Sequence, residues 1–440
     1  MDEKDYTSIM KAKPLFFQRK PSTQQATEAC LQIAADLCTL ETRKRARKKS
    51  DQASFDKAVG HIIGDLLNAA ASEHTDWVYR SLNKESFIGG PVGAVTFKAV
   101  IDLMMEDGLV VQHKGGNVSN PFTDKTDKAP KYSPGMASRF KATPKLLSLL
   151  KARGLTPDNV SKHFQLELPR QTIKLKASSQ RVGRQKQRGR LLRPKHDNAV
   201  LELEQQVNDI NVYLSKQQLE GGNFNGFQRV FNEGDRSDFR WNMGGRLYAV
   251  GDESYQLMKK AERLKMKING AEVAEVDINA SYLCILTSRL DYPIPKDTDL
   301  YAVAELPREV VKAWITATLG NDGFHKRWPV EANRRLKELG YDTSNGMSCR
   351  QVQDIVCAAF PFLHQWEGGG IRWSHLMHQE SEQIIYAMET LRDEYDIPSY
   401  PVHHSLIVPS NKVDVAVAAL KDAFMRYSNQ HCRLSISRAS

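Results

Sequence analysis

Cysteine is scarce in this chain of 440 residues: six occur, Cys30, Cys38, Cys284, Cys349, Cys357 and Cys432. No two stand in a CxxC pair, and several have apolar neighbours, which excludes zinc-ribbon spacing and argues against a disulfide framework. They read as buried thiols of a reducing compartment. No apolar run is long enough to span a bilayer, and Met1 to Lys20 has no apolar core of the kind a secretory leader needs. A cytoplasmic protein without a membrane partner is therefore expected. No internal repeat is visible, and from Asn198 onward there is no Rossmann or P-loop glycine pattern to cradle a phosphate.

Acidic residues are missing from one stretch altogether. Pro169 to Lys195 holds Arg170, Lys174, Lys176, Arg181, Arg184, Lys186, Arg188, Arg190, Arg193 and Lys195, with no Asp or Glu. The whole chain carries a formal charge of +10 and a pI of about 9.1. A surplus clustered in this way suits a polyanionic partner such as nucleic acid. Gly183, Gly189 and the Ser178-Ser179 pair make the stretch a poor helix. Residues 156–197 are therefore expected to form a basic linker that follows a nucleic-acid backbone by charge alone. Residues 1–53 are expected as a basic helical arm. Its closing run, Arg43 to Lys49, is either a solvated face or a phosphate contact.

The length allows two or three domains. Between residues 54 and 155 the pattern is that of a compact helical domain. Ser54 is placed to cap a helix whose stripe is Phe55, Val59, Ile62, Ile63, Leu66 and Leu67. Thr96 to Glu106 repeats the helical spacing with Phe97, Val100, Ile101, Leu103 and Met104, and Gly108 stops it. Leu109 to His113 reads as a strand, Lys114 to Met136 as a polar connection, Ser138 to Thr143 as the return strand and Pro144 to Lys151 as a closing helix. That order resembles a winged-helix DNA-binding domain. The resemblance implies that the helix before Gly108 lies in the major groove and that Lys114, Lys125, Lys128 and Lys131 sit on the wing.

Further along, Asn198 to Leu219 is expected as one amphipathic helix through Val200, Leu203, Val207, Ile210 and Leu214. Phe239 to Ala249 holds Gly244-Gly245, a tight turn before a strand, with Arg240 and Arg246 on either side. Glu275 to Asn279 alternates in strand period, and Tyr282, Leu283, Ile285 and Leu286 switch to helical spacing. Asp277 thus stands at the end of a strand, where a carboxylate can hold a divalent metal. Leu306 to Leu319 reads as a helix with Arg308, Lys312 and Thr316 at steps of four, on one face. Trp373 to Tyr395 is a long helix presenting Glu380 and Glu382. It leads into Pro398 to Pro409, a hairpin with His403-His404 at its polar tip.

The order of these segments resembles the palm and fingers of family A DNA polymerases and of phage-type single-subunit RNA polymerases, over roughly residues 225–410. Val276-Asp277-Ile278-Asn279 resembles the first palm motif, whose Asp binds both metals. Gly245-Arg246-Leu247 resembles the element that precedes it. Arg308, Lys312 and Thr316 match the spacing of the fingers motif that holds the incoming triphosphate. Val402-His403-His404-Ser405-Leu406 resembles the third motif, a hairpin normally reading Val-His-Asp. Two departures stand out. His404 replaces the second metal-binding Asp, and Thr316 and Gly320 replace aromatic residues. An exonuclease-type acidic cluster is not seen before residue 225.

The resemblance implies an α+β chain: a polymerase-like palm of small antiparallel sheet plus helices, with helical fingers, over residues 198–440, preceded by the winged helix. It implies a nucleotidyltransferase with a two-metal site, with DNA the favoured product over RNA. The partners would be DNA or RNA and nucleoside triphosphates. Asp277, the Ile278 carbonyl and His404 would hold Mg2+ or Mn2+, and imidazole in place of carboxylate favours Mn2+. Arg308, Lys312 and Thr316 would bind the nucleotide, with Lys312 also serving the reaction. Arg240, Arg246, Arg181, Arg184, Lys186, Arg188, Arg190 and Lys114 would contact nucleic acid. The rival is a catalytically degenerate polymerase-like DNA-binding protein, such as a replication initiator or regulator.

Overall fold

Alternating and helical apolar spacing accounts for most of the elements in the computed structural model. It describes residues 3–43, 45–72, 75–116, 136–182, 185–251, 254–295, 298–321, 323–344 and 347–439, with the backbone alone at 3–6, 181–182 and 185–186. The result is a mixed α+β chain with small, largely antiparallel sheets and many helices. It divides into two units, Met1–Gln171 with Val250–Asp252, and Thr172–Ala249 with Glu253–Ser440. No helix among the described residues is long and apolar enough to cross a membrane. All six cysteines are free thiols, five of them buried and Cys38 half-buried.

In the N-terminal unit, helix α1 (Gln24–Thr39) begins where the Thr23 hydroxyl accepts the Ala26 N–H at 3.2 Å. It buries Ala26, Ala29, Cys30, Ile33 and Leu37. It therefore belongs to this unit's core and is not the separate arm expected of residues 1–53. Helix α2 (Lys49–Ala70) starts before Ser54. Nothing in Lys49 to Ala53 breaks a helix, so Ser54 lies inside it and its hydroxyl donates to the Ser50 carbonyl at 2.9 Å. Strand β1 (Trp77–Arg80), helix α3 (Ala94–Glu106), strands β2 (Val110–His113) and β3 (Ser138–Ala142) and helix α4 (Pro144–Lys151) follow. Gly108, at φ +66°, ends the turn after α3, in the left-handed region that glycine tolerates. β3 lies between β1 and β2, antiparallel to both, and Lys13–Pro14 adds a parallel edge to β1. Lys114 is exposed beyond β2. Lys125, Lys128 and Lys131 lie outside the described residues.

The expected basic linker is folded. Residues Phe164–Leu166 (β4) pair with Arg19–Pro21, and Ile173–Lys176 (β5) runs parallel to the later strand Phe227–Phe231. Ile173 and Leu175 alternate with Lys174 and Lys176 and are buried. A strand-period pair of apolar residues is enough to seat the segment in a sheet, however basic its other face. Gln180–Val182 and Gln185–Gln187 pair as two antiparallel strands, which contain Arg181 and Lys186. Arg184 falls outside the described residues.

The C-terminal unit continues with helix α5 (Asn198–Leu214), capped by the Asp197 carboxylate on the Val200 N–H at 3.1 Å. It stops short of Leu219, because the chain turns at Ser215 and Gln218 N–H bonds to Asn269 Oδ1 at 2.8 Å. Strand β6 (Phe227–Phe231) pairs with β7 (Gly244–Ala249). Strand β8 (Ala271–Ile278) is followed by helices α6 (Ser281–Arg289), α7 (Arg308–Leu319), α8 (Val330–Glu338), α9 (Cys349–Ala359) and α10 (Trp373–Tyr395). Then come β9 (Tyr400–Val402), β10 (Ser405–Pro409), α11 (Val413–Ser428) and β11 (Leu434–Arg438). β8 is the central strand, flanked by β10 on one side and β11 on the other, both antiparallel. Val276, Ile278, Leu406 and Val408 are almost fully buried, and burial on that scale contributes about 1.5–3 kcal/mol per large aliphatic side chain.

One buried group outside this sheet sets a pH limit on stability. His61 on α2 is fully buried, with its Nε2 3.8 Å from Glu167 Oε2. Burial pushes its imidazole from 6.5 down to about 4, with nearby Lys57 adding to the fall and Glu167 opposing it. The folded chain resists a proton that the unfolded chain takes up near pH 6.5, so stability is full above 6.5 and declines as pH falls toward 4. Urea unfolding should lose on the order of 3 kcal/mol across that window. The loss should be largely absent from His61→Gln, whatever its stability at neutral pH; an unchanged slope in the variant would rule this out.

Candidate functional site

Asp277 is the penultimate residue of β8 and faces Ser405 of β10 in register. β9 and β10 are joined by the two-residue turn His403-His404, with Val402 opposite Ser405. His403 takes a φ of +56°, as a tight two-residue hairpin demands of a central position. The Ile278 N–H donates to the His404 carbonyl at 3.2 Å, which fastens the turn to the end of β8. The His404 imidazole then stands between two acids: Nε2 is 3.2 Å from Asp277 Oδ1, and Nδ1 is 3.9 Å from Glu380 Oε2. Beyond Ile278 the chain turns sharply, with Ala280 at φ +53° ahead of α6. A residue with a Cβ rarely holds that conformation, and such strain gathers at functional sites.

Glu380 and Glu275, the buried glutamates near this turn, each meet an arginine. Glu380 projects from α10, fully buried, and Arg246 of β7 donates Nε to its Oε1 at 2.9 Å and Nη2 to the same oxygen. Burial alone would lower the Arg246 guanidinium, but the Glu380 carboxylate raises it above its ordinary value. Its plane lies over the Tyr282 ring at 5.5 Å. Glu275, two residues before Asp277, is buried as well. Arg263 donates Nε to its Oε2 at 3.2 Å and Nη2 to its Oε1 at 3.1 Å, and the Ser405 hydroxyl donates to Oε1 at 3.1 Å. Asp277 is less well served. Burial raises its carboxyl above the usual range; His404, Lys260 and Lys312 pull it back, while Glu275 adds to the rise. Asp277 Oδ1 and Glu380 Oε2 are both buried and receive no aligned hydrogen bond from the described residues.

Two orphaned carboxylate oxygens beside an imidazole are what a bound cation would satisfy. Among the described residues, however, no group of three or more His, Cys, Asp or Glu side chains is placed to hold an ion. The donors that converge are Asp277 Oδ1 and His404 Nε2, one oxygen and one nitrogen. That pair fits a single ion of the Mn2+ kind, with water or phosphate oxygens completing its shell, better than it fits Mg2+.

The other residues singled out by sequence fall in several places. Lys312 on α7 is near enough to act on Asp277. Arg308, at the first turn of α7, is engaged elsewhere: its Nε donates to Asp299 Oδ2 at 2.6 Å and its guanidinium covers the Tyr301 ring at 5.3 Å. Thr316 is exposed on the last turn. Arg240 is exposed, with Nη1 bonded to the Ser237 carbonyl at 3.0 Å. Arg246 does not face solvent as a nucleic-acid contact would. A buried carboxylate needs a cation, and Glu380 takes this one. Arg188 and Arg190 lie just beyond the strand Gln185–Gln187. Sequence reasoning singles out Glu380 without giving it a role. The signal is present, because Glu380 shares a helical stripe with Leu376, Ile384 and Met388, all buried, and an acid on an apolar stripe needs a partner.

No known protein family matches the chain, and no curated protein is a detectable relative. Among solved structures it is similar to the POL domain of Pol1 from M. smegmatis in complex with DNA primer-template and dNTP. The sequence identity is 8% and the TM-score 0.26, over 96% of this chain and 66% of that one. A TM-score of that size does not establish a shared fold.

The Arg246–Glu380 pair can be tested directly. Glu380→Gln leaves a buried guanidinium unpaired, and the loss in urea unfolding should be about 3–5 kcal/mol. Combining Arg246→Met with Glu380→Met should cost less than Glu380→Gln alone, since no charge is then stranded. A double variant at least as unstable as Glu380→Gln would show that the two side chains act separately.

Proposed function

We propose that the C-terminal unit is a polymerase-like palm and fingers, and that the chain is a nucleotidyltransferase of the nucleic-acid polymerase kind, DNA before RNA, with an altered metal site. One observation carries the reading: a strand-end carboxylate, Asp277 of β8, and the imidazole of His404, in the turn that leads into the neighbouring strand β10, lie 3.2 Å apart. Asp277 and His404 would hold one divalent ion, with the Ile278 carbonyl as a further donor. When bound, the ion would stabilise charge on the attacking oxygen and on the leaving pyrophosphate. The second metal that the sequence resemblance implies would need another carboxylate. Among the described residues Glu380 is the acid nearest His404 after Asp277, and its Oε1 is held by Arg246.

The chain's own residues have definable tasks in this reading. Lys312 would meet the triphosphate beside Asp277. Arg308 would join it after exchanging Asp299 for phosphate, and Thr316 would extend the same face. The N-terminal unit would bind duplex DNA as a winged helix, with α3 in the groove and Lys114 at the base of the wing. Arg181, Lys186, Arg188 and Arg190 would follow the backbone, joined by Arg240 and by Arg184. The +10 charge supports a polyanionic partner.

A second reading has its own support. Each acid at the hairpin tip already has a nitrogen partner, Asp277 the His404 imidazole and Glu380 the Arg246 guanidinium. Such contacts would hold the site together without an ion, as in a DNA-binding initiator or regulator that has given up catalysis.

Primer extension separates the two. Wild type should incorporate nucleotides with Mn2+ better than with Mg2+, and His404→Asp should shift the preference toward Mg2+. Asp277→Ala should lower the rate by roughly a thousandfold or more with either ion. Absence of synthesis by wild type under all conditions, with DNA binding intact, would select the non-catalytic reading.

A further inference from the structure

The C-terminal unit contains a polar cleft of about 650 Å³ that none of Asp277, His404, Lys312 or Arg308 lines. Its walls come from the loop between α7 and α8, the start of α10, the turn after β6 and residues 178–180. The cationic side chains Arg236, Lys326, Arg327 and Arg372 line it; Arg236 is paired with Asp238 at 2.9 Å and Arg372 with Glu233, the one acid among the lining residues, which leaves Lys326 and Arg327 in excess. Lys326 and Arg327 are exposed and have no acidic partner among the described residues. Arg372 is held in place: Glu233, 4% exposed and at the left-handed φ of +57°, accepts its Nε at 3.1 Å and its Nη2 at 2.8 Å. The Trp373 indole also lines the cleft, half-buried, with no ring contact to another aromatic side chain of the described residues.

We infer that this cleft binds a short stretch of single-stranded nucleic acid, its phosphates on Lys326, Arg327 and Arg372 and a base on Trp373. The inference rests on the cleft's own residues and does not require catalysis at Asp277. Cations alone would accept any polyanion. An unpartnered indole among them adds a stacking platform, which serves an unpaired base and not a duplex, whose bases already stack on one another. The volume is that of a small-ligand site, with room for a strand and not for a double helix. The excess of positive over negative side chains would draw the backbone in and make binding salt-dependent.

Fluorescence anisotropy with a labelled oligo-dT of about 12 nucleotides tests this, using the full chain and a duplex of equal length as control. Combining Lys326→Gln with Arg327→Gln should weaken oligo-dT binding about tenfold at low salt and flatten the log–log salt slope by about 1.4, at roughly 0.7 for each phosphate no longer neutralised. Trp373→Leu should weaken it about tenfold with the slope unchanged. Duplex affinity and the far-ultraviolet circular dichroism should match wild type in both. Asp277→Ala should bind oligo-dT normally, so a failure of the catalytic reading leaves this result standing. Wild-type affinity for oligo-dT in both cleft variants would overturn the inference. So would equal losses for single strand and duplex, or complete displacement of the oligonucleotide by millimolar inorganic triphosphate with Trp373→Leu indistinguishable from wild type.

Discussion

A buried carboxylate in the middle of α10 governs the arrangement of the C-terminal unit. Glu380 has no access to water, and an isolated charge there would cost several kcal/mol. Arg246 satisfies one oxygen and so ties β7 to α10. The other oxygen points to His404, on a different sheet from β7. The four-stranded and six-stranded sheets of this unit are thus linked through one side chain. Because β8 and the β9–β10 turn are fixed by backbone pairing, the imidazole is delivered to Asp277 with little freedom left. Glu275, held by Arg263 and Ser405, repeats the same solution two residues earlier on β8.

The consequence for chemistry is a site with one carboxylate, one imidazole and few spare ligands. Where two carboxylates would draw in two hard cations, one carboxylate and one imidazole make a weaker and softer site. The burial that raises Asp277 also strengthens its attraction for any cation that enters. Lys312 and Lys260 lower the cost of ionising it. In the proposed function, such a site would share an ion with a polyphosphate ligand that brings its own oxygens.

Much of this is legible in the sequence, and the reasons differ by element. β8 and α6 follow from the switch of apolar spacing around Asn279, and the β9–β10 hairpin from apolar runs on either side of two histidines. The meeting of Asp277 and His404 can be expected from motif order, although 127 positions is not a local separation. What escapes a sequence reading is set by partners distant along the chain. Arg246 looks like a surface cation until Glu380 is placed beside it, and Arg308 looks free until Asp299 is. The charge of the basic stretch 169–195 hides the two apolar residues, Ile173 and Leu175, that seat it in a sheet. Helix α1 resembles an arm because its stripe is built largely of alanine and cysteine, small residues that signal burial weakly.

The central claim is that Asp277 and His404 share one divalent ion. Pulsed electron paramagnetic resonance of Mn2+ bound to the full chain tests it most directly, because a coordinated imidazole imprints nitrogen hyperfine coupling on the manganese signal. The account predicts stoichiometric Mn2+ binding with that coupling, its disappearance in His404→Asp with the ion retained, and loss of the ion in Asp277→Ala. A bound Mn2+ without nitrogen coupling in the wild-type protein, or one that survives Asp277→Ala unchanged, would contradict it.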